Sequence, residues 1–265
     1  MKANDRFCKN HSVMMDLELC EKYGFDCIDI QSECLNRDLE AGKITLEEMG
    51  AWFQSHHLKM LSYNALCFFN MKQTQEEKDA VMAELDEIIR RCNILGCKMI
   101  VVVPSMDLTV PATVDEIKAD AVAVLKEMVK KVEPHGIKLS IEFCGAPTMS
   151  INRFEYAYDI VTEVDHPLVG ITLDQYHFHA MASEWAALEK ADGKKIFVWH
   201  LNGMENMPCG AAYNTTRSVC GRVPRATACR MHATLIRSRR SALTATAAPS
   251  RSSVRHTMRC RRRRT

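Results

Sequence analysis

No stretch of this 265-residue chain approaches the roughly 18 consecutive apolar residues of a membrane span. The opening residues, Met1 to Cys8, also lack the unbroken apolar run of a signal peptide. The chain therefore reads as cytoplasmic, with no membrane partner. No Cys-x-x-Cys pair occurs among the twelve cysteines, which are scattered from Cys8 to Cys260. A chain of this length needs no covalent staples, so the thiols read as reduced and mostly buried rather than as a disulfide framework. There is no Gly-x-Gly-x-x-Gly and no phosphate-loop signature, which counts against a dinucleotide-binding doubly wound sheet.

One absence divides the chain. Residues 206–265 contain no Asp, Glu or Lys, and they carry 14 arginines. Ordinary composition would place about seven acids there. Residues 1–205 hold all 33 acidic residues against 21 Lys and Arg, a net of −12. We read two kinds of sequence: a folded domain over 1–213, and an arginine-rich segment over 214–265 in a non-native reading frame or disordered. The rival reading of that segment is a basic arm for RNA, DNA or an acidic membrane. Arginine mixed with Ala, Thr and Ser shows no particular recognition mode, so no specific nucleic-acid partner is expected.

Within 1–213, short β-rich runs alternate with longer amphipathic ones, as parallel strands and crossover helices do. Strands are expected at 27–30, 58–65, 99–103, 137–142, 169–173 and 196–201, with a weak first strand near Phe7. Helices are expected at 14–22, 45–56, 75–95, 114–132, 153–164 and 184–190. Thr45 with Glu48, and Thr113 with Glu116, have capping-box spacing. Gly24, Gly96 and Gly136 stand where helices pass into strands and a left-handed cap is needed. About seven βα units result, an α/β (β/α)8 TIM barrel incomplete at its eighth unit.

Barrel active sites form at the C-terminal ends of the strands. Three polar residues end successive apolar strands: Glu142, Asp174 and His200. Two carboxylates and an imidazole converging there make a divalent-metal site for Mn²⁺, Co²⁺ or Zn²⁺. His177 follows closely enough to face the same point as a substrate contact. His56 and His57 precede a strand, belong at the opposite end, and are excluded.

At these residues the chain resembles the xylose-isomerase-like barrels of sugar isomerases and epimerases, and within them the inositol-catabolic branch that isomerises keto-cyclitols. The likeness is carried by Asp-Leu-Glu-Leu-Cys-Glu-Lys-Tyr-Gly at 16–24, Asn-Ala-Leu-Cys-Phe-Phe-Asn at 64–70, Phe-His-Ala-Met at 178–181 and Ala-Asp-Gly-Lys-Lys-Ile-Phe at 191–197. It runs from about residue 14 to about residue 213. The resemblance implies one divalent ion held by Glu, Asp, His and a second Glu, the first three matching Glu142, Asp174 and His200, with Glu142 the carboxylate left to shuttle a proton. The implied substrate is a small polyol or keto-cyclitol, isomerised through an enediolate. The second glutamate has no counterpart, because no acid follows Glu205. Inosose dehydration and ketose epimerisation stay open on the same fold. A zinc-dependent abasic-site endonuclease would need more histidines at the strand ends and a basic face, neither of which the −12 domain offers.

The reading-frame interpretation has a direct test in the coding DNA around codon 214. One of the other two frames should encode an acid-containing eighth βα unit; two frames without one would remove the interpretation.

Overall fold

The computed structural model describes residues 2–4 and 12–201. Seven parallel strands pair strictly in chain order: β1 (Lys2–Asn4), β2 (Cys27–Gln31), β3 (Lys59–Cys67), β4 (Met99–Val103), β5 (Lys138–Glu142), β6 (Val169–Asp174) and β7 (Ile196–His200). Eight helices accompany them: α1 (Val13–Lys22), α2 (Ser32–Glu40), α3 (Leu46–Ser55), α4 (Gln75–Leu95), α5 (Val114–Val132), α6 (Phe154–Val164), α7 (Gln175–Ala180) and α8 (Trp185–Lys190). The expected α/β barrel architecture is present through β7. Phe7, around which a first strand was expected, lies outside the described residues, and β1 instead occupies Lys2–Asn4. Residues 202–265, with the arginine-rich segment and any eighth unit, also lie outside them.

Side chains alternate across each strand. On β5, Leu139 and Ile141 join the apolar core while Ser140 and Glu142 form polar contacts with side chains of β6 and β7. On β6, Ile171 and Leu173 do the former, Thr172 and Asp174 the latter. On β2, Ile28 and Ile30 flank Asp29, which is wholly buried. The sheet is curled, because side chains from β2 and β7, at positions two and seven of the sheet order, lie 3.1 Å apart at Asp29 and His200.

The helices cover the apolar face. On α4 the buried positions are Val81, Leu85, Ile88, Ile89, Cys92 and Leu95, a stripe at helical period. On α5 they are Ile117, Ala121, Val122, Leu125, Met128, Val129 and Val132. Two helices were not anticipated. The sequence of α2, SECLNRDLE, is polar and buries only Leu35 and Asp38, so it carries little periodic signal. Six-residue α7 is too short for a 3.6-residue period to register. Gly96 and Gly136 adopt φ of 70° and 61°, the left-handed caps expected of them.

Three helices begin in complete capping boxes, at Thr45 with Glu48, Thr74 with Glu77 and Thr113 with Glu116. In each, a hydrogen bond from the threonine backbone N–H holds the glutamate carboxyl below its ordinary pKa. A carboxylate depressed on folding stabilises the protein above its unfolded pKa and loses that contribution as pH falls through the folded value. We therefore expect stability to decline below about pH 4.5, where an unperturbed glutamate is half protonated. A Glu48→Gln, Glu77→Gln, Glu116→Gln variant keeps the capping geometry without the titration, and its urea midpoint should fall less steeply over this range. Parallel acid limbs for the two proteins would refute the attribution. Thr74→Ala should cost about 1 kcal/mol at neutral pH.

Candidate metal centre

The C-terminal end of β6 starts this site. Asp174 is the N-cap of α7, and its Oδ1 accepts hydrogen bonds from the backbone N–H of Tyr176 at 2.7 Å and of His177 at 3.2 Å. The turn so fixed places His177 in the first turn of α7. Asp174 Oδ2 lies 3.7 Å from His200 Nδ1. Asp174 and His200 are register partners on β6 and β7, and Glu142 pairs with Thr172 one strand away.

Glu142, Asp174 and His177 each offer a ligand atom within 4.8 Å of the others. His200 closes the group from β7, its Nδ1 lying 2.8 Å from Glu142 Oε1. Glu142 is 8% exposed and Asp174 5%. One layer below, the hydroxyls of Ser140 and Thr172 are hydrogen-bonded at 2.7 Å. Burial pushes the Glu142 carboxyl up, but the charge and hydrogen bond of His200, with the charge of His177, outweigh it and hold the carboxyl below its ordinary range.

These donors fit a divalent ion. Two buried carboxylates and two imidazoles suit a borderline first-row metal. Buried charge of one sign requires compensation, and a third carboxylate, Asp29, is fully buried 3.1 Å from His200 Nε2. Among the described residues His177 Nδ1 is buried with no hydrogen-bond partner, on the side chain that groups with the two carboxylates. Satisfied buried imidazoles do not leave a ring nitrogen open in this way.

The four sequence-predicted residues are thus neighbours, His177 offering a ligand atom within 4.8 Å of one from each carboxylate. His179, also in α7, is exposed. His56 and His57 lie at the opposite end: His56 stacks on Trp52 at 3.9 Å between centroids, and His57 Nε2 is 3.2 Å from Asp26. Sequence reasoning missed Asp29 and Ser62. Ser62 Oγ donates to Asp29 Oδ1 at 2.5 Å, and the two are register partners on β2 and β3. The available signal was an acid between two isoleucines in an apolar strand, which a search confined to strand ends overlooks.

The family model described as a xylose isomerase-like TIM barrel matches residues 17–219. The inosose isomerase of Bacillus velezensis is 38% identical over 203 residues, covering 76% of this chain and 71% of that protein. The inosose isomerase of Bacillus subtilis is 39% identical over 203 residues, covering 76% and 72%. A crystal structure of the IOLI protein with a bound zinc atom superposes with a TM-score of 0.82 at 35% identity, covering 89% of this chain and 84% of that one.

One steric requirement of the site is open to test. A Cβ on Gly145, in the loop after β5, would collide with the carbonyl oxygen of His177 and lie 2.8 Å from its Cα. Alanine in a compatible loop stabilises by about 0.4–1 kcal/mol. Here we expect Gly145→Ala to destabilise by about 1–3 kcal/mol, as overpacking does, and to shift the His177 ring resonances while those of His56 stay in place. An unchanged His177 spectrum with a raised urea midpoint would show that α7 does not depend on this contact.

Proposed function

The chain belongs to the xylose isomerase-like TIM barrel family, and from that membership we propose that it is a divalent-metal-dependent isomerase of a keto-cyclitol. Glu142, Asp174 and His200 would hold the ion, Glu142 would also shuttle the proton, and His177 would meet the substrate. The observation that carries the reading is the group of two buried carboxylates and two half-buried imidazoles gathered at the C-terminal ends of β5, β6 and β7 and the start of α7. Its chemical direction comes from the likeness to the Bacillus inosose isomerases. Residues 1–213 would form the catalytic barrel and 214–265 would lie outside it.

Isomerisation of an inosose removes the proton from a hydroxyl-bearing carbon beside the carbonyl and returns a proton to the former carbonyl carbon through an enediolate. No electrons leave the substrate, so no redox partner is needed. A bound Mn²⁺, Co²⁺ or Zn²⁺ would supply Lewis-acid polarisation of the two substrate oxygens. Glu142, ionised because its pKa is held low, is the group able to accept the proton. His177 Nδ1, with no partner among the described residues, would be available to a substrate hydroxyl. Burial of both carboxylates keeps competing water away and strengthens these interactions.

Activity of the chain as written should be low. Three protein ligands suffice for a catalytic metal, but residues 206–265 offer no second glutamate. The test compares this chain with one whose residues from 214 onward are replaced by an eighth βα unit ending its strand in glutamate. Each is loaded with Zn²⁺ or Mn²⁺ and given inosose in D₂O, with products followed by NMR. We expect the completed chain to move the carbonyl to the neighbouring carbon with solvent exchange at the transferred position. Glu142→Gln in that background should lower turnover about 10²–10⁴-fold. Loss of water from the product would replace isomerase with dehydratase, and inversion of a hydroxyl without carbonyl migration would replace it with epimerase. Equal turnover by the two chains would refute the impairment.

A further inference from the structure

His200 has both ring nitrogens engaged, and the two face different ways. Nδ1 points to the donor group, 2.8 Å from Glu142 Oε1 and 3.7 Å from Asp174 Oδ2. Nε2 points across the barrel to Asp29 Oδ2, at 3.1 Å. Asp29 is itself held: Ser62 donates to its other oxygen, Oδ1, at 2.5 Å, and its side chain is fully buried on β2. Asp29, like His200, lies outside the compact group of Glu142, Asp174 and His177, and it meets that group through the ring of His200. The line Ser62, Asp29, His200, Glu142 therefore crosses the barrel from β3 and β2 to β7 and on to β5.

A histidine ligand gives one nitrogen to the ion, and the state of the other nitrogen decides whether that lone pair is free. A carboxylate on the second nitrogen keeps the proton there, orients the ring and raises the basicity of the ligating atom. Resting on the metal-dependent reading above, we propose that Asp29 is the positioning residue for His200: it holds the proton on Nε2 and aims Nδ1 at the ion, with Ser62 orienting Asp29. Asp29 acts through His200 and touches neither ion nor substrate. Its placement explains why a carboxylate stands among isoleucines on a strand remote from β7, where burial alone would favour an apolar residue.

The test uses the full chain, ¹⁵N-labelled at histidine, as wild type, Asp29→Asn, Asp29→Ala and Ser62→Ala, with His200→Asn to assign the ring signals. Apparent Zn²⁺ and Co²⁺ affinities are measured by competition with a chromophoric chelator, and Co²⁺ complexes are followed by visible absorption. Asp29→Asn keeps the shape of the side chain and removes its charge, so a fold intact by circular dichroism is expected. We expect a loss of about 10–100-fold in metal affinity for Asp29→Asn, a larger one for Asp29→Ala, and a smaller one for Ser62→Ala. The Co²⁺ bands should shift in both Asp29 variants, and the Nε2–H signal of His200 should move upfield. A purely structural Asp29 would lower the urea midpoint and leave affinity, Co²⁺ bands and His200 signals of the folded variants as in wild type, and that result overturns the proposal. If wild type takes up no ion, the functional reading falls, and the metal-free spectra still decide the positioning claim. A His200 Nε2–H signal identical in wild type and Asp29→Asn overturns it, and a displaced one sustains it.

Discussion

The imidazole of His200 stands between two buried carboxylates, Asp29 and Glu142, and this contact joins parts of the barrel that the sheet keeps apart. Backbone hydrogen bonds tie each strand only to its neighbours. They set the order of the strands but not what meets at the axis. Removing a carboxylate from water costs several kcal/mol even after relaxation, so three such groups near one axis are tolerable only with positive charge or strong donors among them. His200 supplies two contacts, and Asp174 is within 3.7 Å of the same ring. The charge balance of the interior and its capacity for a cation are therefore a single property. A strand moved out of register would take its carboxylate to the apolar side of the sheet, where no partner waits.

The two ends of the barrel handle polar groups in opposite ways. At the N-terminal end of the strands, Lys59 donates to the carbonyls of Phe53 and His56, and Lys98 donates to that of His135. Lys138 lies over the Phe197 ring at 4.7 Å. These ammonium groups are engaged by carbonyls at helix ends and by an aromatic face, around a cavity of about 700 Å³ at that end. At the C-terminal end a ring nitrogen of His177 is buried without a partner among the described residues. Incomplete satisfaction at one end beside completed contacts at the other is what distinguishes a place for a ligand from a place for packing.

Much of this was legible in the chain because the parallel strands are covered on one side by helices and end at the other in polar side chains. Glu142, Asp174 and His200 stood out since each terminates an apolar run, and the capping threonines at 45 and 113 marked helix starts directly. Thr74 carries the same box, and went unread only because α4 announces itself by length and periodicity. Asp29 was hidden for a physical reason: it lies mid-strand, and its partner in sequence is 171 positions away. No local pattern encodes that distance. His177 was visible as a neighbour of Asp174, but its approach to within 4.8 Å of both carboxylates depends on a six-residue helix and on the absence of a side chain at Gly145.

Asp174 divides its two oxygens between tasks that are usually given to different residues. One oxygen receives the first backbone amides of α7, and the other faces the ring of His200. Natural drift at this position is therefore read twice. An asparagine preserves the turn and forfeits the charge, while a glutamate preserves the charge and, being one methylene longer, loses the turn that sets His177. The position has almost no neutral neighbourhood in sequence space, so the chemistry of this site can be altered without loss of the turn or the charge only by changes made elsewhere around it.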